Sequence, residues 1–141
     1  MEILKETVDY GVIGILLVLS VWCVAVAVER WLFYRRVDVS QFPNRQVFEI
    51  ALTKRLVIIG TVAANAPYIG LLGTVLGIML TFYTMGTSGT MAVNTIMIGL
   101  SLALKATAVG LLVAIPCVVM NNVLRRRVTE LLTLHKVQHG S

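Results

Sequence analysis

Two long apolar segments joined by a short turn constrain this chain more than any other feature. The first contains NAPYIGLLGTVLGIM (Asn65–Met79) and the second LALKATAVGLLVAIP (Leu102–Pro116). Small residues recur along both, and each carries one threonine in its centre, Thr74 and Thr107. A simple anchor needs only to be apolar. Closely spaced glycines and alanines over such lengths are built to pack against other helices. Of 141 residues, 57% are hydrophobic and 13% charged, with a mean hydropathy of +0.87. A soluble domain this short has no interior large enough for that much apolar surface, so the chain reads as an all-α integral membrane protein.

Three spans follow. The first runs from about Gly11 to Val28, the second from about Val57 to Met85 and the third from about Ala92 to Val123. The first just crosses a hydrocarbon layer of ~30 Å. It lacks a small-residue cleavage site and runs directly into Glu29-Arg30-Trp31, so it reads as an uncleaved span. The other two exceed the ~20 residues needed to cross and are expected to tilt or to project beyond the bilayer as helices. Pro67 and Pro116 are candidate kinks.

Lysine and arginine set the expected orientation. Arg30, Arg35, Arg36, Arg45, Lys54 and Arg55 lie between spans one and two, and Arg125, Arg126, Arg127 and Lys136 follow span three. Lys5 alone precedes span one, beside Glu2, Glu6 and Asp9, and the Gly86–Met91 loop carries no basic residue. The positive-inside rule therefore puts the N-terminus and that loop outside, with residues 29–56 and the C-terminal tail in the cytoplasm. Val37–Leu52 reads as a short amphipathic helix on the inner surface. The net charge of +5 serves topology and not nucleic acid, for no nucleic-acid motif accompanies it. Cys23 and Cys117 read as small buried hydrophobes, with neither disulfide framework nor metal spacing. His135 and His139 read as part of a solvated tail without further metal ligands. No catalytic constellation, nucleotide loop or cytoplasmic head is evident, so the chain is expected to be neither an enzyme nor a cofactor binder.

Gly70, Gly73 and Gly77 line one helix, and Ala106, Gly110 and Ala114 the other. Either stripe alone is explained by packing within one chain. Both together leave contact surface for a homo-oligomer in the membrane lipid. Thr74 and Thr81 share a face at about 100° per residue, and Thr107 lies on the Ala103–Gly110–Ala114 side of its helix. A lone threonine most often bonds its own backbone. With the glycine stripes, the three read as lining a narrow interior. Asn94, Ser101 and Lys105 form a separate stripe, nearly opposite Thr107. Lys105 lies roughly 20 Å from the outer end of its span. It is a candidate for intramembrane charge pairing. None of the seven acids lies between Ile50 and Thr129, so three readings stand: Lys105 is neutral through desolvation, faces a watery cavity, or pairs with a carboxylate from another subunit, the last being preferred.

The stretches APYIGLLGTVLGIM (Ala66–Met79) and ALKATAVGLLVAIPCVVMNNV (Ala103–Val123) resemble the ExbB/TolQ family of inner-membrane motor proteins, more distantly related to the flagellar stator protein MotA. The likeness is dense over spans two and three and extends to span one in placement. It implies a single membrane domain over residues 1–141, in a bacterial inner membrane with a periplasmic N-terminus. It further implies a ring, usually a homopentamer, in which spans two and three surround a pore. The pore holds the single-span helices of an ExbD- or TolR-like partner whose aspartate carries the proton, and motion passes to TonB or TolA. Thr74 and Thr107 match the pore-facing threonines of the family. Leu102 stands where better-known members carry a glutamate, and the loop between spans one and two is short, as in a compact ExbB. The implied function is proton-driven energising of TonB-dependent import. The alternatives are a TolQ-like part in the Tol-Pal system or a membrane scaffold that passes no protons.

Overall fold

In hydrocarbon no water is at hand for a bare peptide group, so each apolar run must close its own backbone hydrogen bonds. The computed structural model describes residues 2–89 and 92–139, apart from the side chains of Glu2 and Lys5, and its regular elements are all helical. They are α1 (Glu2–Arg36), α2 (Arg45–Thr53), α3 (Leu56–Ser88) and α4 (Val93–His139), with a 3-10 turn at Val39–Gln41. α1, α3 and α4 are long and apolar enough to cross a membrane. Val and Ile abound in all three, and their modest helix propensity is overridden by the demand for backbone pairing.

Helix boundaries depart from the expected spans at several ends. α1 begins nine residues earlier than Gly11, and Gly86, Thr87 and Ser88 extend α3 into the expected loop. Gly89 then stops it at φ 73°, its N–H donating to Met85 O at 3.0 Å. That left-handed residue suits glycine, which has no Cβ to clash. Thr90 and Met91, the rest of that loop, and Gly140-Ser141 lie outside the described residues. Pro67 and Pro116 both sit inside continuous helices. At 47 residues, α4 is about 70 Å long, more than twice the hydrocarbon thickness.

α3 and α4 form an antiparallel pair, against which α1 packs with Leu16, Cys23, Val26, Ala27 and Tyr34. The pair meets backbone to backbone. A methyl placed on Gly70 would stand 2.7 Å from Ala106 O and 3.1 Å from Gly110 Cα; one on Gly110 would stand 2.8 Å from Ala66 O. Gly73 receives the methyl of Ala106 and Gly77 that of Ala103. Ala114 is buried in the same interface. Both small-residue stripes are therefore used at least within one chain.

Of the amphipathic helix expected over Val37–Leu52, only the second half is α-helical, as α2, and its apolar face turns inward. Asp38 caps the 3-10 turn, accepting from Ser40 N at 2.9 Å and Ser40 Oγ at 2.6 Å, and these donors hold its carboxyl below the usual range. Asn44, following Pro43, caps α2 by accepting from Gln46 N at 2.8 Å. Phe48 and Leu52 are fully buried. The end of α2 is bound to α1: Arg30 donates to Ala51 O at 2.7 Å and Tyr34 Oη to Leu52 O. Two carbonyls of the last turn are thus satisfied from outside the helix. Arg30 is buried, paired with Glu29 at 2.6 Å and set 4.4 Å from the Phe33 ring centre.

The start of α2 is bound to α4, which corrects the reading of the tail. His135 is not solvated. It is 0% exposed, its Nε2 donates to Phe42 O at 2.6 Å, and its ring stacks on Phe48 at 5.2 Å and on His139 at 4.2 Å. The tail continues α4, so helical periodicity carries Leu124, Val128, Leu131 and His135 to one buried face.

Two predictions follow from this packing. Gly70→Val should destabilise the folded protein by about 1–3 kcal/mol through overpacking, whereas Gly86→Ala, with no neighbour within 4 Å, should not; thermal unfolding in detergent reads the difference. Tyr34→Phe leaves Leu52 O without its donor and should cost about 1–3 kcal/mol, visible as faster amide exchange across α2.

Candidate functional site

The chemistry-bearing residues gather where the α3–α4 contact is tightest. Thr74 lies one turn beyond Gly70, on the face that Gly70, Gly73 and Gly77 clear for α4. Its Oγ1 is 3.0 Å from Ala103 O across the interface and 3.3 Å from its own Gly70 O. Thr107 Oγ1 bonds to the same atom. A hydroxyl has one proton and two lone pairs. The arrangement that satisfies all three groups has Thr107 donating to Thr74, and Thr74 donating to Ala103 O with Gly70 O as a second acceptor. Thr74 is buried at 7% exposure, whereas Thr107 is only half-buried. Thr107 is therefore the accessible end of a short hydroxyl chain that terminates on a backbone carbonyl. Its oxygen can accept a proton donor from outside the chain, or its O–H can swing outward to a carboxylate.

Thr81 shares the face of Thr74, two turns away, and is also buried. Its hydroxyl donates to Gly77 O at 2.8 Å, and it fills the space that a Cβ on Gly99 would need, at 2.5 Å from its Cγ2. In the single chain Thr81 thus lies in the helix contact. Leu102, one residue before Ala103, is exposed at 41%, and Lys105 is exposed on the flank away from Thr107. Lys105 is not among the hydrogen-bond partners of the threonine pair. Asn94 and Ser101 are exposed along with Lys105.

Sequence reasoning named both threonines but missed their third partner, the Ala103 carbonyl. No side-chain pattern announces a backbone acceptor; it becomes available only because Gly77 and Ala103 bring the helices so close. Arg30, Tyr34 and His135 at the basic end were missed in the same way, because their partners are also carbonyls. Cys23 and Cys117 are buried, at 0% and 1% exposure, and lie against one another.

The hydroxyl chain makes a measurable demand. Thr74→Val preserves shape but removes the bonds to Thr107 and Ala103; it should lower stability by about 0.5–2 kcal/mol in detergent unfolding, while Thr74→Ser should lose little.

Comparison with known proteins gives the geometry a context. Residues 44–136 match the MotA/TolQ/ExbB proton channel family. The biopolymer transport protein ExbB of Aquifex aeolicus is 53% identical over 140 residues, covering 99% of this chain and 95% of that protein. The putative biopolymer transport protein ExbB-like 2 of Helicobacter pylori is 49% identical over 136 residues, covering 96% and 91%. The Tol-Pal system protein TolQ of Haemophilus influenzae is 41% identical over 88 residues, covering 62% of this chain and 38% of that protein.

Proposed function

The chain belongs to the MotA/TolQ/ExbB proton channel family, and from that premise we propose that it is an energy transducer of the TonB system in a bacterial inner membrane. Several copies, five on the family pattern, form a ring in which α3 and α4 enclose a pore. An ExbD-like single-span partner occupies the pore, and an aspartate on its helix takes up and releases the proton. Energy is passed to TonB for import across the outer membrane. The protein acts as a conduit and holder, not as an enzyme. The basic residues at the Arg30 and Arg125 end face the cytoplasm, and the Gly89 end faces the periplasm.

One observation carries this reading: the accessible hydroxyl of Thr107, bonded to Thr74, which is itself anchored on Ala103 O. A protonated carboxylic acid needs an acceptor, and a carboxylate needs a donor. Thr107 supplies either by rotating its O–H between the partner and Thr74, with no charge left in the hydrocarbon. Leu102, in the place of the family glutamate, gives the pore no acid of its own at that position, which leaves the partner's aspartate as the carrier. The near end-to-end match with ExbB proteins, against a partial match with TolQ, favours the TonB system over the Tol-Pal system.

Proton flux in liposomes, with and without a co-expressed single-span partner, tests the proposal. Flux only with the partner, and lost when its membrane aspartate is changed, is the expected result. An intact complex with no flux would point to a scaffold. Thr107→Val should abolish partner-dependent flux while the complex keeps its native mass, and Thr107→Ser should retain most of it. Full flux through Thr107→Val would remove this hydroxyl from the mechanism.

A further inference from the structure

Lys105 is the lone charged residue in α4 between Val93 and Leu124. It is exposed, and it makes no hydrogen bond or ion pair with any described side chain. A charge at such depth in a membrane almost always has a counter-charge or a watery cavity. With the first span taken to begin at Gly11, no acid of the chain was expected at its level. The observed packing removes that reason.

α1 and α4 run parallel, and two contacts fix their register. The space above Gly73 is closed by Ala106 Cβ at 2.8 Å and by Val12 Cγ1 at 3.0 Å, so Val12 and Ala106 are level. Eleven residues further along each helix, Cys23 lies against Cys117. The match is therefore kept over three turns. Carried one turn the other way, it sets Asp9 level with Ala103, about 3 Å along the axis from Lys105.

The angular placement agrees independently. Near the basic end, α1 and α4 enclose an apolar groove of about 280 Å³ lined by Ala27, Val28 and Trp31 on one side and Met120, Val123 and Leu124 on the other. Eighteen residues make five whole turns and return a helix to the same face. Asp9 stands eighteen residues before Ala27, and Lys105 eighteen before Val123. Helical periodicity thus puts Asp9 on the face of α1 that carries Ala27, and Lys105 on the face of α4 that carries Val123, five turns nearer the loop end.

We propose that Asp9 is the intramembrane counter-charge of Lys105, and that the pair bridges α1 and α4 and holds α1 at a fixed height against the α3–α4 pair. No ion pair joins the two groups in the structure, and the flexible four-carbon lysyl arm is long enough for an axial offset of about 3 Å. Glu6 lies about one turn further toward the loop end. The inference does not depend on proton conduction.

The test has two arms, both on the full complex in native membranes. With Cys23 and Cys117 replaced by alanine, Asp9→Cys and Lys105→Cys are introduced together and treated with a short bismaleimide. A cross-linked single chain is expected; a ladder of joined chains would overturn pairing within one chain. In the second arm, Asp9→Lys or Lys105→Asp alone should lower the melting temperature of the purified complex, and the double exchange should recover at least half the loss. Additive losses would overturn the proposal. The cysteine arm carries no charge reversal and remains decisive should the single exchanges fail to accumulate.

Discussion

The approach of two backbones at Gly70 and Gly110 is the contact on which the remaining structure depends. Lipid tails are as apolar as leucine, so burial gives membrane helices little reason to associate. Close van der Waals contact does, and it requires residues that stand out of the way. Here the glycine of each helix faces a carbonyl and a Cα of the other. Thr74 then reaches Ala103 O directly. A helix separation increased by one methyl would leave that hydroxyl its own Gly70 carbonyl and little else.

A second set of contacts organises the basic end by a different principle. Arg30 and Tyr34 bind the last turn of α2, and His135 binds the chain just before it. A nine-residue helix is too short to persist by itself in water. Its ends are held by side chains from two different long helices, and its Phe48 and Leu52 close the space between them. α2 is therefore less a connector than a wedge that sets the spacing of α1 and α4 where they leave the hydrocarbon.

Much of this was legible in the residues. The three spans, the two small-residue stripes and the shared face of Thr74 and Thr81 all follow from periodicity and from the rule that lipid rewards close packing. What escaped was whatever depends on a carbonyl as partner, since every residue carries one. His135 looked like part of a polar tail because nothing in its neighbourhood marks Phe42 O, ninety-three positions away, as its acceptor. That Asp9 lies inside the first helix escaped for another reason: hydropathy locates a span by its apolar centre and is blind to a helix that begins earlier.

The unbroken run of α4 has a mechanical consequence. From Thr107 to His135 is about 42 Å of one helix. Its closest bearing is the glycine contact near the Thr107 end, so a tilt of a few degrees there becomes several ångströms at the α2 wedge. Pro116 lies between, and without its N–H the carbonyl of Leu112 loses its helical partner. The rod thus has one softened joint between fulcrum and far end. A small rearrangement around a hydroxyl in the membrane is amplified by leverage, and the stiffness of that joint sets how much of it arrives.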